Sequence, residues 1–349
     1  MMNSRLEVDN PSVFFTTLFD CYEKARRSSP EKPQSYFRVG ASQIELSFAG
    51  TELVESITRS LRHLASDAPF SSPDLRVYLF DSVSTKTEMP LNWDIENFHG
   101  RMVHYSNADI HSFYHLESDA LMVINSKTNE AIYWIRDIRN LHVHERCLPL
   151  RTIFHWWFRL HGKQLVHAAA VGSKQKGILI AGHAGAGKST TALLALKRNL
   201  LCAGDDFVLF GIEPLRVYSL SQIIKIDDGS VHIVNEEFPN IRFGGDGGYD
   251  KQWIYLNEQW PQKLVGELPL NAVFIPKLRL DQENSCLEEI PPFQGLMGIA
   301  PSTVIPLAGA HQNDLRNVAD LTRQVPNYLL RIGRNRERLC DLIEGYVRR

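Results

Sequence analysis

Apolar positions along the first 150 residues switch between two periods. Phe14, Phe15, Leu18, Phe19 and Tyr22 recur at intervals of three and four, which predicts a helix over 14–26 with one buried face. Ser28-Ser29-Pro30 and Pro33 break it, because proline has no N–H to continue the ladder. Over Tyr36–Val39 and Gln43–Phe48 the period shortens to two, as in a half-buried hairpin. Helical spacing returns over Glu52–Leu64, and strands are predicted at Leu75–Phe80, Met102–Tyr105, Ala120–Asn125 and Glu130–Ile135. Residues 1–147 therefore read as an α+β accessory domain.

The pattern changes around Leu148-Pro149-Leu150. Arg151–His161 reads as a helix stopped by Gly162, and its aromatic residues Phe154, Trp156, Trp157 and Phe158 cannot all share one face. They are expected to pack on two sides, as an interdomain core. A strand over Gln164–Val171, a turn at Gly172–Lys176 and a wholly apolar strand at Gly177–Ala181 follow. A helix from Lys188 to about Lys197 leads to another strand at Leu200–Ala203. A strand feeding a helix that returns to a buried strand is the unit of a nucleotide-binding α/β domain, here assigned to residues 148–349.

Between the second of these strands and the helix lies Gly182-His183-Ala184-Gly185-Ala186-Gly187-Lys188-Ser189, which meets every fixed position of G-x-x-x-x-G-K-[ST]. The glycines let the backbone curl so that successive N–H groups face phosphate oxygens, and the helix start adds partial positive charge. Lys188 can reach the β- and γ-phosphates as a point charge, and the Ser189 hydroxyl can ligate Mg²⁺. The nucleotide-binding set is thus Gly182, Gly185, Ala186, Gly187, Lys188, Ser189 and Thr190, with ATP and Mg²⁺ as the expected ligands. An apolar strand on one side and a helical segment on the other separate this match from a chance glycine-rich turn.

Sixteen residues after Ser189, the strand Leu200–Ala203 delivers Gly204-Asp205-Asp206 to its C-terminal end, where ligands sit in parallel α/β sheets. One carboxylate of such a doublet can hold Mg²⁺ while the other takes the proton of an acceptor hydroxyl. Without the preceding loop the doublet would read as a solvated turn.

Charge and cysteine content narrow the class. Lysine plus arginine number 38 against 40 acidic residues, a formal net charge of −2 that gives no footprint for nucleic acid or an anionic membrane. The five cysteines, Cys21, Cys147, Cys202, Cys286 and Cys340, have neither the paired spacing of a zinc site nor the even count of a disulfide framework. The start lacks a basic stretch followed by an apolar core, and no run approaches the ~18 apolar residues of a membrane span. The expectation is a cytoplasmic protein.

Val166-His167-Ala168-Ala169-Ala170-Val171, the phosphate loop and Gly204-Asp205-Asp206 together resemble the catalytic core of the HPr serine kinase/phosphorylase family, which is related in fold to ATP-dependent phosphoenolpyruvate carboxykinases. The resemblance spans roughly residues 150–349 and is most specific around the loop. It implies an α/β fold of that type, with Lys188 and Ser189 as phosphate and Mg²⁺ ligands. It further implies Asp205 as the base for an acceptor serine, Asp206 as the metal-side carboxylate, and His167 beside the phosphates, tuning Asp205. Ala300-Pro301-Ser302-Thr303 and Val325-Pro326-Asn327-Tyr328-Leu329-Leu330 resemble a subgroup that accompanies ribosomal-peptide clusters, lasso peptides included, where some members phosphorylate a precursor serine. A Glu-Ile-Arg-Gly-like stretch that helps bind metal in the bifunctional family is absent, so the resemblance does not carry over to the reverse reaction or to HPr as substrate.

Lys225, ending the apolar run Tyr218–Lys225, is a further candidate for positive charge near the phosphates, as is Lys251 more weakly. Arg331 and Arg334 could reach an anionic ligand, and Gly244-Gly245-Asp246-Gly247-Gly248 reads as a lid or long turn. Three functions fit these residues: a kinase for a serine hydroxyl of a peptide or protein, a kinase for a small-molecule alcohol, and a nucleotide-gated regulatory module. Residues 1–147 are left for acceptor binding or for contacts in a homo-oligomer.

Overall fold

In the computed structural model the first helix, Pro11–Ser28, starts where the sequence supplies a cap: the Asn10 side chain accepts from the Ser12 N–H at 2.9 Å, and Pro11 occupies the first turn. The residues described are 10–89, 106–244 and 251–349. The strand expected at Met102–Tyr105 and most of the glycine-rich stretch after Gly244 lie outside them.

Contacts divide the chain into two units, Met1–Leu160 and His161–Arg349. Both are mixed α/β, with several sheets between them. In the first unit, strands β1 (Gln34–Val39), β2 (Ser42–Phe48), β3 (Leu75–Asp81), β4 (Ile110–His115), β5 (Ala120–Asn125) and β6 (Glu130–Ile135) form a sheet in the order β1-β2-β3-β6-β5-β4. The hairpin expected around residues 40–41 is present, with Val39 opposite Ser42. Strands β2, β3 and β6 run parallel.

The helix predicted over 52–64 is α-helical only to Thr58 and continues as a 3₁₀ turn over Arg59–Leu64. The first helix covers one sheet face, where Phe14, Phe15, Leu18 and Tyr22 join Phe80, Val123 and Trp134 in one core. The aromatic helix, Arg151–Leu160, buries Phe154, Trp156, Trp157 and Phe158, and the Trp157 indole donates to Asn129 at 2.9 Å. The contact division assigns it to the first unit.

In the second unit the segment expected as one strand, Gln164–Val171, is broken at His167 into β7 (Lys163–Val166) and β8 (Ala168–Gly172). After β9 (Gly177–Ala181) and β10 (Leu201–Gly204) come β11 (Val208–Ile212), β12 (Leu215–Tyr218), β13 (Ile223–Asp227) and β14 (Lys251–Tyr255). Strands β15 (Glu267–Pro269), β16 (Ala272–Leu278), β17 (Cys286–Ile290) and β18 (Asn327–Ile332) complete the set. The main sheet has the order β10-β8-β9-β16-β18-β17, a smaller one β15-β12-β11-β7, and β13 pairs with β14. β7 and β8 therefore belong to different sheets. Every residue of both strands except Lys163 is buried, so alternation could not reveal the break.

Apolar residues fill both faces of the main sheet, which explains the continuous apolar runs of β8 and β9. Val171, Ile178 and Ile180 point to a core with the helices Lys188–Ala195 and Arg336–Arg348. Ala170, Leu179 and Ala181 meet Ile299, Val318 and Leu321 on the other side. β9, β16 and β18 are mutually parallel, so their C-terminal ends open on one edge, the side where α/β sheets bind ligands.

Candidate active site

Strand β9 ends at Ala181 and the chain turns through the glycine-rich loop into the helix Lys188–Ala195. Gly187 caps that helix at φ +96°, a left-handed conformation that side chains resist, and an added Cβ would lie 3.3 Å from Ile332. Lys188 is buried, and its ammonium donates to the loop carbonyls of Gly182 at 2.9 Å and His183 at 3.1 Å. Burial lowers its pKa, against an opposing pull from Asp205 and Asp206.

Strand β10 runs in the same direction as β9, since both are antiparallel to β8. It brings the acidic doublet to the same edge. Gly204 sits at φ +143° with no room for a Cβ beside Val208, and Asp206 itself takes a left-handed φ of +67°. This backbone twist parts the two carboxylates. Asp205 is 1% exposed, accepts from the Lys225 N–H at 3.2 Å and interacts with the Ser189 hydroxyl. Burial, reinforced by the neighbouring Asp206 charge, pushes its carboxyl pKa up. Asp206 lines the cavity instead: the Lys225 ammonium stands 2.7 Å from one of its oxygens and His167 Nε2 3.4 Å from the other. Burial alone would raise its pKa, yet Lys225 and His167 hold it well below the usual carboxylate range.

The cavity these groups line has a volume of about 570 Å³. Its floor is Ala184, Gly185 and Gly187 of the loop with residues 188–191 of the helix that follows, and its walls include Leu278, Leu280, Ile332 and Gly333 at and just beyond the ends of β16 and β18. Helix Asp228–Glu237 contributes Gly229, Ser230, His232 and Ile233. Cationic groups dominate the polar lining. Besides Lys188 and Lys225 they are Lys251, 3.1 Å from Asp227, Arg334, 3.3 Å from Glu283, and Arg336, 2.6 Å from Glu236.

The structure thus brings His167, Gly185, Gly187, Lys188, Ser189, Thr190 and Asp206 to one cavity wall, with Asp205 directly behind Ser189. Two placements bear on the roles that the resemblance implies. His167 pairs with Asp206 rather than Asp205, because β8 begins beside the end of β9 and the twist at residue 206 turns that carboxylate toward it. Within the doublet, Asp205 is enclosed behind the Ser189 hydroxyl, and Asp206 faces the open space. Gly182 and Ala186 are part of the loop but not of the cavity wall. Arg331 pairs with Glu288 at 2.6 Å and does not line the cavity. His232 and Arg336 were missed; they stand on separate helices with no motif, and only folding brings them here.

His167 is held from three sides. Its ring stacks on Phe207 with centroids 5.0 Å apart, its Nε2 faces Asp206, and its backbone N–H donates to the Thr303 hydroxyl at 3.1 Å. That last contact gives a physical role to the Ala300–Thr303 segment.

The donor set suits a small hard cation that also binds phosphate and water. Among the described residues no cluster of three or more His, Cys, Asp or Glu could hold a metal alone. Among the described residues Asp205 Oδ1 is buried without a hydrogen-bond partner, and the Ser189 hydroxyl interacts with the same carboxyl group. Mg²⁺ characteristically takes one or two carboxylates and completes its shell with substrate oxygens and water.

Among the described residues no helix is long and apolar enough to cross a membrane. No protein-family model matches this chain, and no curated protein does. Among solved structures the chain is similar to the HPr(Ser) kinase/phosphatase from Coxiella burnetii, at 16% identity over 53% of this chain and 94% of that one, with a TM-score of 0.27.

Proposed function

We propose that this protein is an ATP- and Mg²⁺-dependent kinase that transfers the γ-phosphate to a hydroxyl, the acceptor being a serine of a peptide or protein, as the resemblance to HPr-kinase-like proteins of peptide clusters suggests. The observation that carries the reading is the convergence on one cavity of the glycine-rich loop and a carboxylate flanked by Lys225 and His167. A module that only senses nucleotide needs the loop; it has no use for a proton-accepting pair beside it. That contrast favours chemistry over switching.

In this reading the loop amides and the helix start hold the triphosphate, and Lys188 swings from the carbonyls of Gly182 and His183 onto the phosphate oxygens. Ser189 and Asp205 would hold Mg²⁺, which when bound neutralises phosphate charge. Asp206 takes the role first assigned to Asp205: its carboxylate orients the acceptor hydroxyl, and with His167 it receives the proton as the hydroxyl attacks in line. Lys225 keeps Asp206 ionised and adds charge where the transferring group becomes more anionic.

The test is label transfer from γ-labelled ATP. The purified protein is incubated with serine-containing peptides in one arm and a metabolite pool in the other. Label in the peptide arm supports the proposal, and label only in the metabolite arm moves the acceptor to a small-molecule alcohol. Free phosphate alone, or no turnover, leaves the regulatory module as the better reading. Lys188→Ala should lower transfer by about a thousandfold or more, because the transferring phosphate loses its main protein-borne charge.

A further inference from the structure

On one face of the first unit's sheet, polar residues stand where apolar ones are the rule. Side chains alternate along a strand, so Glu45 and Ser47 of β2 share a face with Arg76 and Tyr78 of β3, and the register sets them directly opposite one another. Glu45, Ser47 and Tyr78 are buried, because the C-terminal half of the first helix lies over them. This half of the helix turns Phe19, Tyr22, Glu23 and Arg26 toward the same cleft, at the spacing that puts residues on one face. The cleft has a volume of about 450 Å³.

Most of its polar groups are already engaged. Arg76 Nε donates to Glu45 at 3.1 Å, Gln34 donates to the same oxygen at 3.2 Å, the Tyr22 hydroxyl donates to Ser47 at 2.8 Å and the Tyr78 hydroxyl to Glu130 at 2.8 Å. Arg26 is the exception. Its Nε is out of water and has no hydrogen-bond partner among the described residues. A dry guanidinium nitrogen without an acceptor costs free energy that a ligand can return. Phe19, Tyr22 and Tyr78 form an aromatic wall beside it, with the Phe19–Tyr78 and Tyr22–Tyr78 ring centroids each 4.9 Å apart.

We propose that this cleft binds a carboxylate carried on an apolar or aromatic body, with Arg26 as its principal anchor. A planar carboxylate matches the guanidinium fork, and the rings offer a surface for the group that bears it. Two arginines and two glutamates line the cleft, so a monoanion is accepted where a dianionic phosphate would meet Glu23 and Glu45 at close range. Such a carboxylate can be a peptide's C-terminal group or the side chain of an acidic residue. The site stands apart from the phosphotransfer reading and does not depend on it.

The experiment uses the full chain and ligand-observed NMR, with titration calorimetry where affinity allows. The probes are N-acetyl-phenylalanine, its amide, the α-amide of N-acetyl-glutamate, and inorganic phosphate. Binding of the first probe identifies a terminal carboxylate and binding of the third a side-chain carboxylate, and the amide of the first should not bind. Arg26→Gln should weaken the binding probe by about tenfold or more, with Arg26→Lys recovering part of the loss. ATP binding should be unchanged in both variants. Equal affinity for acid and amide, preference for phosphate, no binding by either carboxylate probe, or full affinity in Arg26→Gln would each overturn the proposal. The acid–amide comparison needs no variant, so it decides even if a substitution impairs folding.

Discussion

Glu145 in the first unit and Asp206 in the second are both drawn back from water, yet their carboxyl pKa values are pushed in opposite directions. Around Glu145 the hydrogen-bonding neighbours are hydroxyls, the Ser118 side chain and the Tyr133 phenol at 3.4 Å, and with the Arg151 charge they pull the pKa down against burial. Burial prevails there and pushes the carboxyl up to about 7. Asp206 meets the same burial but has the Lys225 ammonium at 2.7 Å and His167 opposite, and it stays ionised. Burial sets which way a carboxyl is pushed, and the charge of the nearest partner decides whether it gives way. An ammonium is hydrogen-bonded to Asp206, whereas the groups hydrogen-bonded to Glu145 are hydroxyls.

Within the second unit the same contrast recurs over one peptide bond. Asp205, raised by burial and by its neighbour's charge, and Asp206, lowered by its cations, are driven apart in pKa. Divergence of that kind separates acid–base roles in a shared site.

The sharpest way to break the comparison is to remove the charge of Asp206 alone. Asp206→Asn should lower phosphoryl transfer by about 10²–10⁴ while calorimetry finds ATP uptake nearly intact. A larger loss from Asp205→Asn, with nucleotide binding equally intact, would return the base role to Asp205.

Next in size is a stability effect at Glu145. Its folded pKa of about 7 lies above the ordinary 4.5, so the folded state holds the extra proton in that window. The contribution is fully present below the unfolded pKa and is lost as pH rises through 7, by about 3 kcal/mol in all. Urea melts of the wild type at about pH 5 and about pH 8 should show that decline, and Glu145→Gln should flatten it. An unchanged slope in the variant would mean that Glu145 is not the titrating group.

The smallest effect concerns Lys225. Lys225→Met should strip Asp206 of the ammonium 2.7 Å away and move the acid limb of the pH–rate profile upward by about one unit. A limb that stays in place would show that the ammonium does not govern that carboxylate.

The phosphate loop was legible because its causes are local. A buried strand, three glycines and a helix start lie within about twenty consecutive residues, and each forms where its own pattern predicts. The break at His167 was not, since β7 and β8 are buried almost throughout and only their assignment to different sheets separates them. Which carboxylate faces the cavity depends on the left-handed Asp206, a conformation that strand alternation cannot anticipate. Gln43, Glu45 and Ser47 fitted the outer face of a hairpin, yet Glu45 and Ser47 lie beneath a helix predicted from its own periodicity with no sign of where it would dock. What neighbours in sequence determine could be read; what distant segments impose on one another could not.

The hydrogen bond from the His167 amide to Thr303 joins positions 136 apart. Loop closure over such a span comes late in assembly, after the glycine-rich turn has the local contacts it needs to curl. A polypeptide still emerging from the ribosome, with its last fifty residues unmade, would lack both Thr303 and strand β18, so the break between β7 and β8 gains this tie only as synthesis nears its end.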